Sequence, residues 1–95
     1  MRRDLPLGVL AAQILHAGGE SSPGSLPEGT HAVVLSVPDE HALRCVAVRL
    51  ELARIPFVRV IEDDAPWTGQ LMALGLAPAR KEAVRRCLSS LPLLR

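Results

Sequence analysis

The segment FVRVIEDDAPWTGQLMALGL, residues 57–76, holds two short apolar runs on either side of an acidic turn. The first run, Phe57–Ile61, is rich in the β-branched residues that favour strands. The second run, Gln70–Leu76, begins soon after the turn residues 62–68 and is also mainly apolar. Two runs this close in sequence predict an antiparallel β-hairpin.

A further apolar run and a helical pattern precede the hairpin. Residues 32–35, AVVL, are continuously apolar, as in a strand covered on both faces, and predict a strand over Ala32–Val37. The residues SVPD at 36–39 resemble a capping box and predict a helix from there to about Arg54, because Pro56 breaks the pattern. The predicted buried stripe of this helix is Leu43, Val46, Leu50 and Ala53.

The N-terminal part of the chain predicts a helix that begins at Asp4 and Pro6 and ends at the glycine pair 18–19. At 100° per residue, its apolar face is Leu7, Leu10, Ile14 and Ala17. The opposite side carries Val9, Gln13 and His16. The following residues, 18–30, are rich in Gly, Ser and Pro and predict a long loop, a type of segment that is often functional.

A last helix is predicted to open at Pro78, with Val84, Cys87, Leu88 and Leu91 buried. The order of elements is then helix, strand, helix, strand, strand, helix. Such alternation is typical of the α/β class and predicts a three-layer α-β-α arrangement with a small mixed β-sheet. The 95 residues are enough for one domain, which we assign to residues 1–95.

Composition predicts an intracellular protein with an aliphatic core. Hydrophobic residues make up 48% of the chain, yet Phe57 and Trp67 are its only aromatic residues. No apolar run reaches the ~20 residues of a membrane span, and the first residues do not resemble a signal peptide. Cys45 and Cys87 lie far apart in apolar helical patterns and are expected to be small core residues, which fits a reducing cytoplasm.

Charge is distributed unevenly along the chain. Residues 1–77 hold six arginines and nine acidic residues, a net charge of −3. Residues 78–95 hold four arginines and one lysine against Glu82 alone, a net charge of +4. This basic C-terminal segment could bind phosphate groups, or it could be a solvated helix face.

Two constellations of side chains could carry chemistry. Gln13 and His16 lie one turn apart on the first helix, so His16 could act as a general base or bind an anion while Gln13 orients substrate or water. Alternatively, His16 is an ordinary histidine with a hydrogen bond of its own. The clustered carboxylates at 62–64 repel one another, so one could serve as a general base, or the cluster could bind a divalent cation. Acidic residues are also common in turns without any function.

Metal and aromatic sites are less favoured by the sequence. The three histidines have no recognised metal spacing, and we expect neither a metal nor a cofactor. Trp67, in the acidic turn, could stack on a nucleobase or could cap the small core.

The first helix then brings a resemblance to a known family. Residues 3–17, RDLPLGVLAAQILHA, resemble the opening motif of the type-2 peptidyl-tRNA hydrolase family, in which R-D-L is followed by G-K-x-A-A-Q-x-x-H-A. The resemblance continues through Ile55-Pro56 and an acidic residue to Gly69 and the ALGLAP segment at 73–78, which is similar to the family's apolar strand ending in G-P. It covers almost the whole chain, and its N-terminal motif is the more specific part.

The resemblance implies hydrolysis of the ester between a peptide and the 3′ end of tRNA, by a protein that is usually dimeric. It implies catalytic roles for Gln13, His16 and Glu62, the last standing where the family has an aspartate. We further predict substrate contacts by residues near this site, namely Arg3, Asp4, Trp67 and Thr68.

Two family residues and one strand have no counterpart in this chain. The family's catalytic lysine falls at Val9, and the threonine that follows its aspartate falls near Pro66, where Thr68 is the nearest substitute. The match begins only at the end of the family's first strand. A missing strand leaves a sheet edge uncovered, which predicts a homodimer or a chain of marginal stability.

Three hypotheses follow. The chain could be a divergent peptidyl-tRNA hydrolase in the cytoplasm, with Glu62 activating water and His16 or Gln13 positioning the ester. It could be a catalytically impaired member of the same fold that binds RNA, a small ligand or a protein. It could also be a structural dimer whose long loop contacts another protein.

Overall fold

A computed structural model describes all 95 residues as a small α/β domain. Its elements in chain order are α1 (Leu7–Ser21), α2 (Glu40–Leu52), β1 (Val58–Ile61), β2 (Leu71–Gly75) and α3 (Lys81–Leu88). β1 and β2 form a two-stranded antiparallel sheet; α1 and α2 pack against this sheet, and α3 packs against α2. No helix is both long enough and apolar enough to cross a membrane.

The predicted hairpin is confirmed. Val58 of β1 pairs with Gly75 of β2, and the register shifts by one residue after Val60. The acidic turn is closed by backbone hydrogen bonds from Glu62 N to Gln70 O and from Gly69 N to Glu62 O. The hairpin therefore presents Glu62 at the point where β1 ends and the turn begins.

The predicted strand over Ala32–Val37 is wrong. This segment makes only single bridges, a parallel one between Val37 and Arg2 and an antiparallel one between Leu35 and Leu93. Ala32 and Val33 are exposed, and the backbone hydrogen bonds of this segment to residues 1–3 and 92–94 all lie within residues 34–37. An apolar run forms a regular strand only where a partner offers several consecutive hydrogen bonds, and here each partner offers only a few.

Both ends of the first helix differ from the prediction: α1 begins at Leu7, and no side chain caps it, because Asp4 bonds to Arg2 instead. α1 does not stop at the glycine pair 18–19 but continues to Ser21, whose Oγ donates to Ala17 O at 2.7 Å. Leu10, Ile14 and Ala17 of the predicted apolar face pack into the core, but Leu7 does not. Leu7 is 82% exposed, whereas Gln13 is buried beside Leu10 and Ala17.

Smaller corrections concern the other two helices. α2 begins three residues later than the predicted capping box, because Asp39 and not Ser36 caps it, accepting a hydrogen bond from Ala42 N at 2.9 Å; Ala53 is exposed rather than buried. Cys45 is exposed on α2, whereas Cys87 is buried on α3 as expected. α3 begins at Lys81, three residues after Pro78, where the sequence predicts its start.

The core consists of two hydrophobic clusters. One joins Leu10 and Ala17 of α1 to Val60, Met72 and Ala73 of the hairpin, together with Leu5. The other joins α2 and α3 to Leu71, with Val37, Leu43, Val46, Leu50 and Cys87 as its remaining members. Met72 and Leu50 have no exposed surface at all, and burying such a side chain stabilises the fold by about 1.5–3 kcal/mol.

Candidate functional site

A polar cleft lies between α1 and the end of β1. Its volume is about 170 Å³, and the residues that line it are Gln13, His16, Glu20, Val60, Ile61, Glu62 and Asp63. α1 contributes residues from three successive turns of one side. β1 contributes its last two residues, and the acidic turn contributes its first two. The structure therefore brings together Gln13, His16 and Glu62, the three residues that the sequence singles out as catalytic.

A hydrogen bond joins the helix to the turn at the centre of this cleft. Gln13 Nε2 donates to Glu62 Oε2 at 2.9 Å, although the two residues are 49 positions apart in sequence. Gln13 is buried, with 5% of its surface exposed, because it lies on the side of α1 that faces the hairpin. A buried amide needs a partner, and Glu62 supplies it, so each side chain fixes the orientation of the other.

The second carboxylate oxygen of Glu62 is also held. Oε1 accepts hydrogen bonds from the backbone N–H groups of Asp63, at 2.9 Å, and of Asp64, at 3.3 Å. These bonds from the turn and the bond from Gln13 restrain the carboxylate from two directions. Oε2 keeps further acceptor capacity on the side of the cleft, since a carboxylate oxygen accepts more than one hydrogen bond.

His16 and Glu20 form the outer rim of the cleft. His16 follows Gln13 by one turn, and its side chain is exposed to solvent. Glu20 reaches the cleft only because α1 continues past the glycine pair, so sequence reasoning missed it. The lining includes Glu20, Glu62 and Asp63 but no lysine or arginine, which makes the cleft acidic.

A second polar network lies beside the hairpin and involves Asp4. The buried guanidinium of Arg2 contacts both carboxylate oxygens of Asp4, at 2.7 and 2.8 Å, and donates to Gln70 Oε1 at 2.8 Å. The hydrogen bond from Arg2 lowers the pKa of Asp4 below its usual value. Asp4 is thus engaged with Arg2 and is not part of the cleft. Nothing in the local sequence pattern reveals this network, because Arg2 and Gln70 are 68 positions apart.

A neighbouring carboxylate reaches the edge of the sheet. Glu40, the first residue of α2, accepts a hydrogen bond from Leu71 N at 2.7 Å and one from Arg44 at 2.8 Å. The bond from Leu71 lowers the pKa of Glu40, and Arg44 adds to the effect. Arg2 also approaches Leu71 O at 3.4 Å. The backbone of β2 at Leu71 is therefore satisfied by side chains at the position where a further strand would pair.

The other residues predicted to contact substrate lie outside the cleft lining. Arg3 and Thr68 are exposed. Trp67 is half-buried and packs against the cluster that contains Leu10 and Met72, as expected of a residue that caps the core. Val9, at the position of the family's lysine, is also half-buried against that cluster.

The basic C-terminal segment presents its cations to solvent. Five residues are exposed and take part in no ion pair: Arg80, Lys81, Arg85, Arg86 and Arg95. The buried residue of α3, Cys87, points toward α2, and its Sγ donates to Arg49 O at 3.6 Å. The cationic side of α3 therefore faces away from the core.

No group of three His, Cys, Asp or Glu side chains has an arrangement that could hold a metal ion. Comparison of the chain with protein-family models, with curated proteins and with solved structures finds no match.

Proposed function

We propose that this protein is a divergent ester hydrolase of the peptidyl-tRNA hydrolase type, with its active site in the cleft between α1 and the end of β1. The observation that carries the proposal is the hydrogen bond from Gln13 to Glu62 with His16 one turn away on the same wall. Hydrolysis needs a base that can hold water and a group that can position the ester, and these three side chains supply both kinds of group.

The proposed reaction uses Glu62 as the general base. Glu62 takes a proton from a water molecule in the cleft, and the resulting hydroxide attacks the ester carbonyl. The tetrahedral intermediate then breaks its bond to the ribose oxygen, which leaves with the proton returned by Glu62. Gln13 holds the carboxylate of Glu62 in place through Nε2, and its Oε1 accepts a hydrogen bond from the water molecule. His16 donates a hydrogen bond to the ester.

The binding of RNA is proposed for a different surface. The cleft is acidic, so it does not attract phosphates, whereas the cations of residues 80–95 are exposed and unpaired. Lys and Arg on such a surface bind the phosphate backbone with little sequence preference. In this proposal the backbone of tRNA contacts α3 and the final residues, and only the 3′ end reaches the cleft.

A catalytically impaired RNA-binding module is the second candidate, and Val9 favours it. Ester hydrolysis places negative charge on the carbonyl oxygen, and losing one well-placed donor costs about 10²–10³ in rate. Val9 offers no donor, and the cleft lining has no lysine or arginine in its place.

We also propose a three-layer architecture and a cytoplasmic location for this protein. The three-layer α-β-α arrangement with a small mixed sheet is supported by the two core clusters, one with α1 and one with α2 and α3, and by the parallel bridge of Arg2 to Val37. A cytoplasmic location is supported by the two free cysteines.

The test is an assay of peptidyl-tRNA cleavage by the wild type and two variants. Glu62→Gln removes the base but keeps the hydrogen bond to Gln13 possible, and it is expected to lower the rate by about 10²–10⁴. Glu28→Gln, in the exposed loop, is the matched control and is expected to leave the rate unchanged. Equal rates for wild type and Glu62→Gln would contradict the proposed mechanism.

Val9→Lys separates the two candidates. The added ammonium would lie one turn from Gln13 on α1, where it can stabilise the oxyanion, so the hydrolase hypothesis predicts a gain in rate. Val48→Lys, which makes the same change at an exposed position of α2, is the control. If wild type and Val9→Lys both bind tRNA but cleave nothing, the binding module is the correct candidate. If neither binds tRNA, both are wrong.

A further inference from the structure

The cleft between α1 and β1 carries negative charge that no cation of the chain offsets. Its three carboxylates, those of Glu20, Glu62 and Asp63, give the lining a net charge of −3 with His16 neutral. None of the three takes part in an ion pair, since the ion pairs of the chain join other residues. Glu20 also lies in the last turn of α1, which holds no basic residue and is the negative end of the helix dipole. Such a cleft attracts a cationic ligand.

One hydrogen-bond acceptor that lines the cleft has no partner in the chain. The amide of Gln13 donates through Nε2 to Glu62 Oε2, and this bond identifies the other end of the amide as the oxygen Oε1. Oε1 accepts no hydrogen bond from the chain, although Gln13 is only 5% exposed. It is not enclosed in the core, because every enclosed polar side-chain atom of the chain has a partner. Oε1 therefore faces the cleft that Gln13 lines, where a donor of a ligand can reach it.

A primary ammonium group matches these features better than a metal ion does. The carboxylates of the cleft do not come together in a group that could hold a metal ion. An ammonium donates three separate hydrogen bonds, so it can pair with one carboxylate and bond to Gln13 Oε1 at the same time. The cleft volume of about 170 Å³ is below the roughly 300–1,000 Å³ of sites for drug-sized ligands, so the group that it holds is of amino-acid size.

The missing cation of the proposed hydrolase gives such an ammonium a chemical role. Negative charge develops on the ester carbonyl oxygen during hydrolysis, and neither Val9 nor the cleft lining supplies a lysine or arginine to stabilise it. In an amino-acid ester the α-nitrogen is two bonds from the carbonyl carbon and lies about 3 Å from the carbonyl oxygen. A free α-ammonium therefore brings positive charge to the oxyanion, whereas the acylated nitrogen of a peptidyl ester is neutral.

We propose that the cleft binds the free α-ammonium of an amino-acid ester, and that this ammonium stabilises the oxyanion in place of a lysine of the chain. The role in hydrolysis rests on the proposed function, whereas the binding of the ammonium stands without it. The carboxylates of Glu20 and Asp63 attract the ammonium, which donates to Gln13 Oε1. That oxygen has two lone pairs, so it also accepts from the attacking water. The ammonium keeps its three protons throughout, and the only proton transferred is the one that Glu62 takes from water and returns to the leaving ribose oxygen.

The first test measures the binding of ligands that have no ester bond to cleave. L-alaninamide carries the free ammonium, and N-acetyl-L-alaninamide is its neutral counterpart. In NMR spectra of the isotope-labelled chain, L-alaninamide should shift the side-chain amide signals of Gln13 and the backbone signals of Glu62 and Asp63. The neutral ligand should leave these signals in place, because it offers the cleft no positive charge.

Matched variants assign the binding to the carboxylates of the cleft. Glu20→Gln should weaken the binding of L-alaninamide about two- to five-fold, as expected for the loss of one exposed charge pair. Glu28→Gln, in the exposed loop, should leave the binding unchanged. Equal shifts with N-acetyl-L-alaninamide would overturn the inference. Equal shifts with tetramethylammonium chloride, which is a cation without an N–H donor, would also overturn it.

The second test compares cleavage of the same tRNA charged with alanine or with N-acetylalanine, each corrected for its uncatalysed hydrolysis. The value of kcat/KM for alanyl-tRNA should exceed that for N-acetylalanyl-tRNA by about 10²-fold, the effect of one well-placed group on the oxyanion. Val9→Lys brings a cation of the chain to the same side of α1 as Gln13, so it should narrow this preference. Val48→Lys, at an exposed position of α2, should not.

The two tests also separate this inference from the proposed function. Cleavage of N-acetylalanyl-tRNA at least as fast as that of alanyl-tRNA would overturn the role of the ammonium and leave the hydrolase correct. Binding of L-alaninamide in the cleft without cleavage of either tRNA would confirm the ammonium site and refute the hydrolase, together with any role of the ammonium in catalysis.

Discussion

Replacing Gly75 with alanine is expected to push α1 away from the hairpin and to destabilise the fold. Gly75 is the last residue of β2 and packs directly beneath the C-terminal part of α1. A Cβ there would lie 3.0 Å from both Ala17 C and Ser21 Oγ, and closer still to Ala17 O. Ordinary contacts to carbon begin at about 3.5 Å, so the helix backbone would have to retreat by up to about 1 Å.

The expected cost can be worked from this geometry. Overpacking against a rigid backbone costs about 1–3 kcal/mol, and the lower chain entropy of alanine offsets about 0.5–1 kcal/mol of it. The free energy of unfolding is then expected to fall by about 1–2 kcal/mol. For a chain of this size each kcal/mol lowers Tm by about 4–8 °C, so Gly75→Ala should melt about 4–16 °C below wild type. The shift should be accompanied by an unchanged denaturant m-value.

A second glycine supplies the control for this measurement. Gly19 is helical, and a Cβ added to it would meet nothing within 4 Å, so Gly19→Ala should raise stability by about 0.5–1 kcal/mol. The same chemical change is thus expected to act in opposite directions at the two sites. A Tm for Gly75→Ala equal to or above that of wild type would refute the close packing of α1 on β2.

Two further predictions concern the helix cap of α2 and the response to acid. Asp39→Ala removes the cap that accepts from Ala42 N and should destabilise the protein by about 1 kcal/mol in urea unfolding, whereas Glu28→Ala in the loop should have no effect. Because the hydrogen bond from Arg2 lowers the pKa of Asp4 in the folded state, its contribution to stability is complete above the ordinary carboxyl pKa and is lost as pH falls through the lower folded pKa. Between about pH 5 and pH 2, the free energy of unfolding should therefore fall less for Asp4→Asn than for wild type. Equal slopes of unfolding free energy against pH in the two proteins would contradict this.

The elements that sequence predicts well are those whose signals are local. The hairpin is encoded in the alternation of two apolar runs around residues 62–68, and its formation needs no distant partner. The start of α2 is predicted to within a few residues because the signal at 36–39 is local, although the cap is Asp39 rather than Ser36. Gln13 and His16 share one side of a helix by spacing alone, so their meeting in one cleft with Glu62 required only that α1 pack on the hairpin.

The errors arise where a local signal competes with a tertiary contact. The glycine pair at 18–19 normally ends a helix, but Ser21 bonding to Ala17 and the packing on Gly75 carry α1 onward. This extension also delivers Glu20 to the cleft. The apolar run at 32–35 normally forms a strand, but the segments beside it supply only single bridges at Leu35 and Val37.

The sequence by itself determined the α/β class, the hairpin, the approximate start of α2 and the shared helix side of Gln13 and His16. Each of these follows from interactions between residues that are near in sequence or repeated at a regular period. Only the tertiary structure decided that the buried side of α1 includes Gln13 and not Leu7, because Gln13 finds Glu62 across 49 residues, and a polar side chain can be buried only where such a partner exists. Packing of α1 on the hairpin through Leu10, Gln13 and Ala17 left Leu7 in solvent, although the apolar spacing of the helix includes Leu7.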